Sequence, residues 1–110
     1  MRWIFLILAF VIQSAVFAQD SLTIVSYNIE NLFDYEHDTL KNDSSFLPDG
    51  DRHWTYYRYQ TKLDRIAQVI VNISGWESAE MVGLCEVENE RCLRDLCYRL
   101  KRFHYKFVHY

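Results

Sequence analysis

Two residues in this chain, Asn28 and Glu86, have the types and settings of metal ligands. Each closes a short apolar run: Leu22 to Tyr27 (LTIVSY) stops at Asn28, and Met81 to Cys85 (MVGLC) stops at Glu86. In α/β sheets, sites form beyond the carboxyl ends of strands, where side chains leave the sheet and meet. Asn offers a carbonyl oxygen and Glu a carboxylate. That oxygen set suits a hard cation, magnesium above all, with manganese or calcium as substitutes; magnesium sites use few protein carboxylates and keep several waters. Such an ion can polarise a phosphoryl oxygen, stabilise charge on a leaving oxygen, or acidify a bound water. By residue type alone the other reading stays open, because Asn after a strand is commonly a turn residue and Glu86 would equally start a helix.

The elements that must position this pair follow from the apolar pattern. LTIVSY and MVGLC read as buried strands, with Asn28 and Asn31 marking the end of the first. Between them, Asp34 to His53 is polar and carries Asp34, Glu36, Asp38, Asp43, Asp49 and Asp51 with Pro48 and Gly50. This is a long loop, expected to be solvated. It lacks the Asp-x-Asp-x-Asp-Gly order of a calcium loop. A helix follows: Tyr59, Leu63, Ile66, Ile70 and Ile73 recur at steps of four and three on one face, Lys62, Arg65, Gln68 and Asn72 fall elsewhere, Thr55 is the N-cap and Gly75 the stop. Asn89 caps a second helix with Leu93, Leu96 and Leu100 inward, and His104 to Tyr110 (HYKFVHY) reads as a third strand. The order strand, loop, helix, strand, helix, strand argues for an α/β layer architecture.

The first eighteen residues stand apart. Arg2, the apolar run Trp3 to Ile12 and Val16-Phe17-Ala18 form the three-part layout of a signal peptide, with cleavage expected after Ala18 and an exported, periplasmic or secreted chain of residues 19–110. The run falls short of the ~20 residues that cross a bilayer. Losing Arg2 moves the formal charge from −3 to −4, so no basic field gathers nucleic acid by counterion release, which weakens that substrate without excluding it. Cys85, Cys92 and Cys97 are an odd set; their spacing fits neither a disulfide between the last two nor a zinc site, and they are expected to be small apolar fillers. Asn42-Asp43-Ser44 and Asn72-Ile73-Ser74 fit the glycosylation triplet, a pattern common by chance.

The words around the two ligand positions carry a resemblance. SYNIENLFD (residues 26–34) and MVGLCEVEN (residues 81–89) resemble the first two motifs of the endonuclease/exonuclease/phosphatase superfamily, which includes deoxyribonuclease-like nucleases, sphingomyelinases and inositol-polyphosphate phosphatases. The stretch from Arg58-Tyr59 to Lys62-Leu63 is similar to the linking helix of its exported bacterial members. The resemblance spans about Leu22 to Tyr110. It implies a two-sheet α/β sandwich of which this chain supplies the N-terminal part, and a phosphate-ester substrate, nucleic acid among the candidates. It also implies that Asn28 and Glu86 bind or position a catalytic divalent ion. Some relatives carry an acid at the position of Glu30, which makes Glu30 an additional candidate.

The departures are as informative. The family's later motifs, an Asp-x-Asn pair, a second Asn or Asp and a Ser-Asp-His ending, do not occur. His37 and His53 lie in the acidic loop, His104 and His109 in the last strand, and none follows Ser-Asp, so all four are expected to be structural or surface residues. The expectation is an N-terminal fragment of an exported phosphoesterase, holding the first metal motifs and inactive by itself. The competing class is a non-catalytic exported binding or structural protein left from a shortened gene.

Overall fold

The computed structural model describes residues 21–75, 77–105 and 109–110. The expected signal segment lies outside them, as do residues 106–108 of the expected third strand. Four main elements follow in order: strand β1 (Ile24–Leu32), helix α1 (Tyr56–Ser74), strand β2 (Met81–Val87) and helix α2 (Glu90–Arg99). Short 3-10 turns occupy Ser44–Phe46 and Lys101–Phe103. β1 and β2 pair in parallel, Ile24 with Met81 through Asn28 with Cys85, so this is a small α/β domain built on one β-α-β unit. No helix among the described residues is long and apolar enough to cross a membrane.

Helix α1 forms where the capping chemistry and the apolar stripe agree. The Thr55 hydroxyl accepts from the Arg58 amide, and Gly75 closes the helix at φ 71°, a left-handed conformation that glycine adopts without a Cβ penalty. Tyr59, Leu63, Ile66 and Ile70 are buried, as their spacing requires. Ile73 is a correction: it is 56% exposed, in the last turn before Gly75, beyond the reach of the core. In α2 the Asn89 side chain accepts from the Cys92 amide at 2.9 Å, and the buried line is Cys92, Leu96 and Leu100, with Leu93 half-buried.

The core is one cluster of Ile29, Leu32, Tyr59, Leu63, Ile66, Ile70, Cys92, Leu96 and Leu100, with both helices on the same face of the sheet. Each fully buried aliphatic side chain there contributes about 1.5–3 kcal/mol relative to exposure. The Tyr59 hydroxyl stays satisfied by donating to Asp95 Oδ2 at 2.8 Å, which ties α1 to α2. The strands are therefore half-buried, not buried throughout. Val25, Tyr27 and Ile29 face the helices, while Ile24, Ser26 and Asn28 alternate outward, as do Met81, Gly83 and Cys85. Cys85 is exposed instead of filling the core, because it shares the outward register of Asn28. All three cysteines are free thiols.

The long loop is more than a solvated connection. Phe33 stacks on Phe46 with ring centroids 4.1 Å apart, Trp54 meets Phe46 edge-on, and the Trp54 indole N–H donates to Phe33 O at 2.8 Å. Asp43 lies buried at its centre, accepting from the Asp38 amide at 2.6 Å and pairing with His37 Nδ1 at 2.7 Å. That amide, with His37 beside it, holds the Asp43 carboxyl below its usual range. A Cβ on Gly50 would stand 2.1 Å from Ser44 O, so the turn closes only on glycine. At the far end, His104 takes a left-handed conformation (φ 65°) after the second 3-10 turn, so the extended run expected from His104 does not begin there.

Candidate functional site

The regular ladder ends where the chemistry was expected. Beyond the Asn28–Cys85 pair the register slips, and the next paired residues are Leu32 and Val87. Ile29, Glu30 and Asn31 on β1 thus stand opposite Glu86 alone, a bulge that leaves both strands formally continuous through the site. This corrects the expected strand ends: Asn28 and Glu86 lie within the strands' extents, at the break in their pairing. The bulge is made by left-handed residues that are not glycine: Glu30 (φ 53°), Asn31 (φ 60°) and Glu86 (φ 64°). Each such conformation costs on the order of 1–3 kcal/mol and persists only where surrounding contacts over-determine it.

Those contacts are made by the candidate ligands themselves. Asn28 Nδ2 donates to Glu86 Oε1 at 2.7 Å, and the Asn31 amide donates to Glu86 Oε2 at 3.0 Å. Asn28 Oδ1 in turn accepts from the Glu30 amide at 2.9 Å. The two side chains, 58 positions apart in sequence, are thus joined directly, and both are exposed at the mouth. Glu30 takes part through its backbone: its amide orients Asn28 and its carbonyl accepts from Lys62 Nζ. Lys62 also donates to Asn31 O at 3.1 Å and lies 5.7 Å from the centre of the Trp54 ring. Partial burial draws its ammonium below the usual lysine range, against the pull of Glu30.

The donor set fits a hard divalent cation. A carboxylate presents about four lone-pair positions; two on Glu86 are taken by N–H donors, and Asn28 Oδ1 keeps one free. Oxygen donors at an exposed mouth leave room for the waters such an ion retains.

A second acidic group gathers around Asp34, which the loop's composition had marked as solvated. Asp34, Glu88 and Cys92 are all buried, and one ligand atom from each lies within 4.8 Å of the others. Glu88 Oε2 accepts from the Asp34 amide at 2.9 Å, Asp34 Oδ2 accepts from Asn89 Nδ2 at 3.0 Å, and Lys41 Nζ donates to Glu88 O at 2.8 Å. Glu88 Oε1 is buried with no hydrogen-bond partner. Burial, reinforced by Asp34 and Asp43, pushes the Glu88 carboxyl above its usual range and so favours its neutral form. The Cys92 thiol is pushed up to about 12, chiefly by burial, which makes it an inert core group and a poor ligand at neutral pH.

Three of the four histidines line recesses that neither candidate ligand joins. His37, paired with Asp43, lines a recess with Ser44, Leu47 and Asp51; His104 and His109 line another with Leu84 and Leu100; Asn28 and Glu86 line neither. The Asp43 partner of His37 was not legible in the loop, because nothing in its composition marks which acid is buried.

With this geometry in place, the comparison with known families is direct. A model of the endonuclease/exonuclease/phosphatase family matches residues 23–110, and the chain belongs to that family. Membership places it among phosphoesterase and nuclease-type hydrolases, which typically depend on a divalent metal. No curated protein and no solved structure gives a significant match.

Proposed function

We propose that this chain carries the first half of the metal site of an exported, divalent-metal-dependent phosphoesterase, with Asn28 and Glu86 as its ligands. The observation that carries this is the 2.7 Å contact between the two side chains at the break in the parallel ladder. A magnesium-type ion bound there would supply charge stabilisation to a phosphoryl group under attack by water. The chain's own residues do the positioning. The Glu30 and Asn31 amides fix Asn28 and Glu86, and Asn28 holds the carboxylate in turn. Export rests on the signal-like layout of residues 1–18.

A general base must lie within hydrogen-bond reach of the water it activates. None of the four histidines follows Ser-Asp, the setting the resemblance implies for that base, so the 110-residue chain should bind the ion and not turn over. The test pairs Mn2+ binding, followed by the loss of the free-ion electron paramagnetic resonance signal, with hydrolysis of a chromogenic phosphodiester. The expected outcome is bound Mn2+ that Mg2+ displaces, weaker binding in Glu86→Ala, and no hydrolysis. Unchanged binding in Glu86→Ala would remove the ligand assignment, and metal-dependent turnover by this chain would remove the half-site reading.

A further inference from the structure

We propose that Lys62 is the positioning residue of the Asn28–Glu86 site, an inference that rests on the metal reading above. The three residues that build the mouth, Glu30, Asn31 and Glu86, all hold left-handed backbone conformations without being glycine. The amides of Glu30 and Asn31 face inward, where Asn28 Oδ1 takes the Glu30 N–H and Glu86 Oε2 takes the Asn31 N–H. The carbonyls of the same two residues, Glu30 and Asn31, both receive Lys62 Nζ. Each of these peptide segments is thus gripped on one side by a candidate ligand and on the other by one ammonium.

Lysine suits this task. An ammonium carries three donors on a long stem, so one group can serve two adjacent carbonyls. The stem is anchored in the middle of α1, one residue before the fully buried Leu63, and the charge sits near the face of the Trp54 ring. Trp54 itself donates to Phe33 O, just past the bulge, so helix, loop and bulge form one connected frame. Among the described residues Lys62 makes no hydrogen bond to a candidate ligand side chain, though its charge attracts Glu86. The bulge backbone that it grips sets where the Glu86 carboxylate and the Asn28 amide point.

The test is Mn2+ affinity of the full chain and its variants, read by electron paramagnetic resonance. Removing a direct outer-shell partner of a metal ligand lowers affinity by about 10–100-fold, and Lys62→Met, acting one bond further out, should lower it by up to that range. Lys62→Arg should recover most of the loss, because its guanidinium also reaches two carbonyls. Arg65→Met, at an exposed cation that shares a recess with Lys62 but makes no hydrogen bond to the bulge among the described residues, should leave affinity unchanged. A merely structural role would move thermal stability without this pattern in metal affinity. If Glu86→Ala weakens binding and Lys62→Met does not, the Lys62 inference is overturned while the metal site stands. If Glu86→Ala changes nothing, the metal reading itself has failed. Should Lys62→Met not fold, Lys62→Gln is read in its place, and wild-type affinity in that variant overturns the proposal.

Discussion

Glu86 and Glu88 are two residues apart at the end of one strand and live in opposite environments. Glu86 is exposed, and each of its oxygens accepts a hydrogen bond, from Asn28 and from the Asn31 amide. Glu88 is 8% exposed, with one oxygen on the Asp34 amide and the other unpartnered. The period-two alternation of a strand would place both on one face. The left-handed turn at Glu86 breaks that alternation and sends the two carboxyls to different places. One accepts its hydrogen bonds at an open mouth, where a cation and its waters can reach it. The other is drawn toward neutrality under the loop, where it serves packing. A carboxylate's role here is set by what its oxygens already touch and by its access to water, more than by its place in the motif.

Breaking the buried side of the comparison should have the largest effect on stability. Glu88→Ala strips the Asp34 amide of its acceptor inside the protein and leaves a void beside Cys92. The orphaned N–H alone costs about 1–3 kcal/mol, and a lower urea midpoint at unchanged slope is the expected result. Glu88→Gln keeps an oxygen for that amide and removes the charge, so its effect appears in pH dependence. A carboxyl whose native pKa is raised contributes stability that is fully present below the unfolded-state value of about 4.3 and is lost as pH rises through the native value. Paired urea titrations across that window should show the wild type losing stability with rising pH relative to Glu88→Gln. Parallel curves would contradict the raised carboxyl. The smaller expected change is the stability of Glu86→Gln, a loss of about 1 kcal/mol, because one of the two hydrogen bonds that the carboxylate accepts at the bulge is given up. The Gln side chain retains one oxygen to accept from the bulge. A large loss there would mean that Glu86 is a structural clamp first and a ligand second.

Much of this arrangement was legible beforehand because local rules and global packing agree. Thr55, Gly75 and Asn89 announce helix ends through capping chemistry that acts within four residues, and all three act so in the structure. Tyr59, Leu63, Ile66 and Ile70 announce their face by spacing. The pairing of Asn28 with Glu86 followed from two motifs read together. What was not legible depends on tertiary contact. Left-handed Glu30, Asn31 and Glu86 carry no glycine to mark them, so the bulge looked like two simple strand ends. Asp34 and Asp43 are indistinguishable in sequence from the exposed Asp49 and Asp51 of the same loop, yet they are buried by the aromatic packing of Phe33, Phe46 and Trp54 and by the second helix. Lys62 reads as a solvent-facing charge on an amphipathic helix, and only the fold shows the carbonyls it reaches.

The central claim is that of these two neighbouring glutamates the exposed one, Glu86, holds the ion. Mn2+ affinity measured side by side for wild type, Glu86→Gln and Glu88→Gln tests it most directly. The structure predicts that Glu86→Gln loses at least the ~10–100-fold expected for even an outer-shell partner, while Glu88→Gln binds as wild type does. The reverse pattern, with binding lost in Glu88→Gln and kept in Glu86→Gln, would move the ion to the buried Asp34, Glu88 and Cys92 cluster and contradict the account.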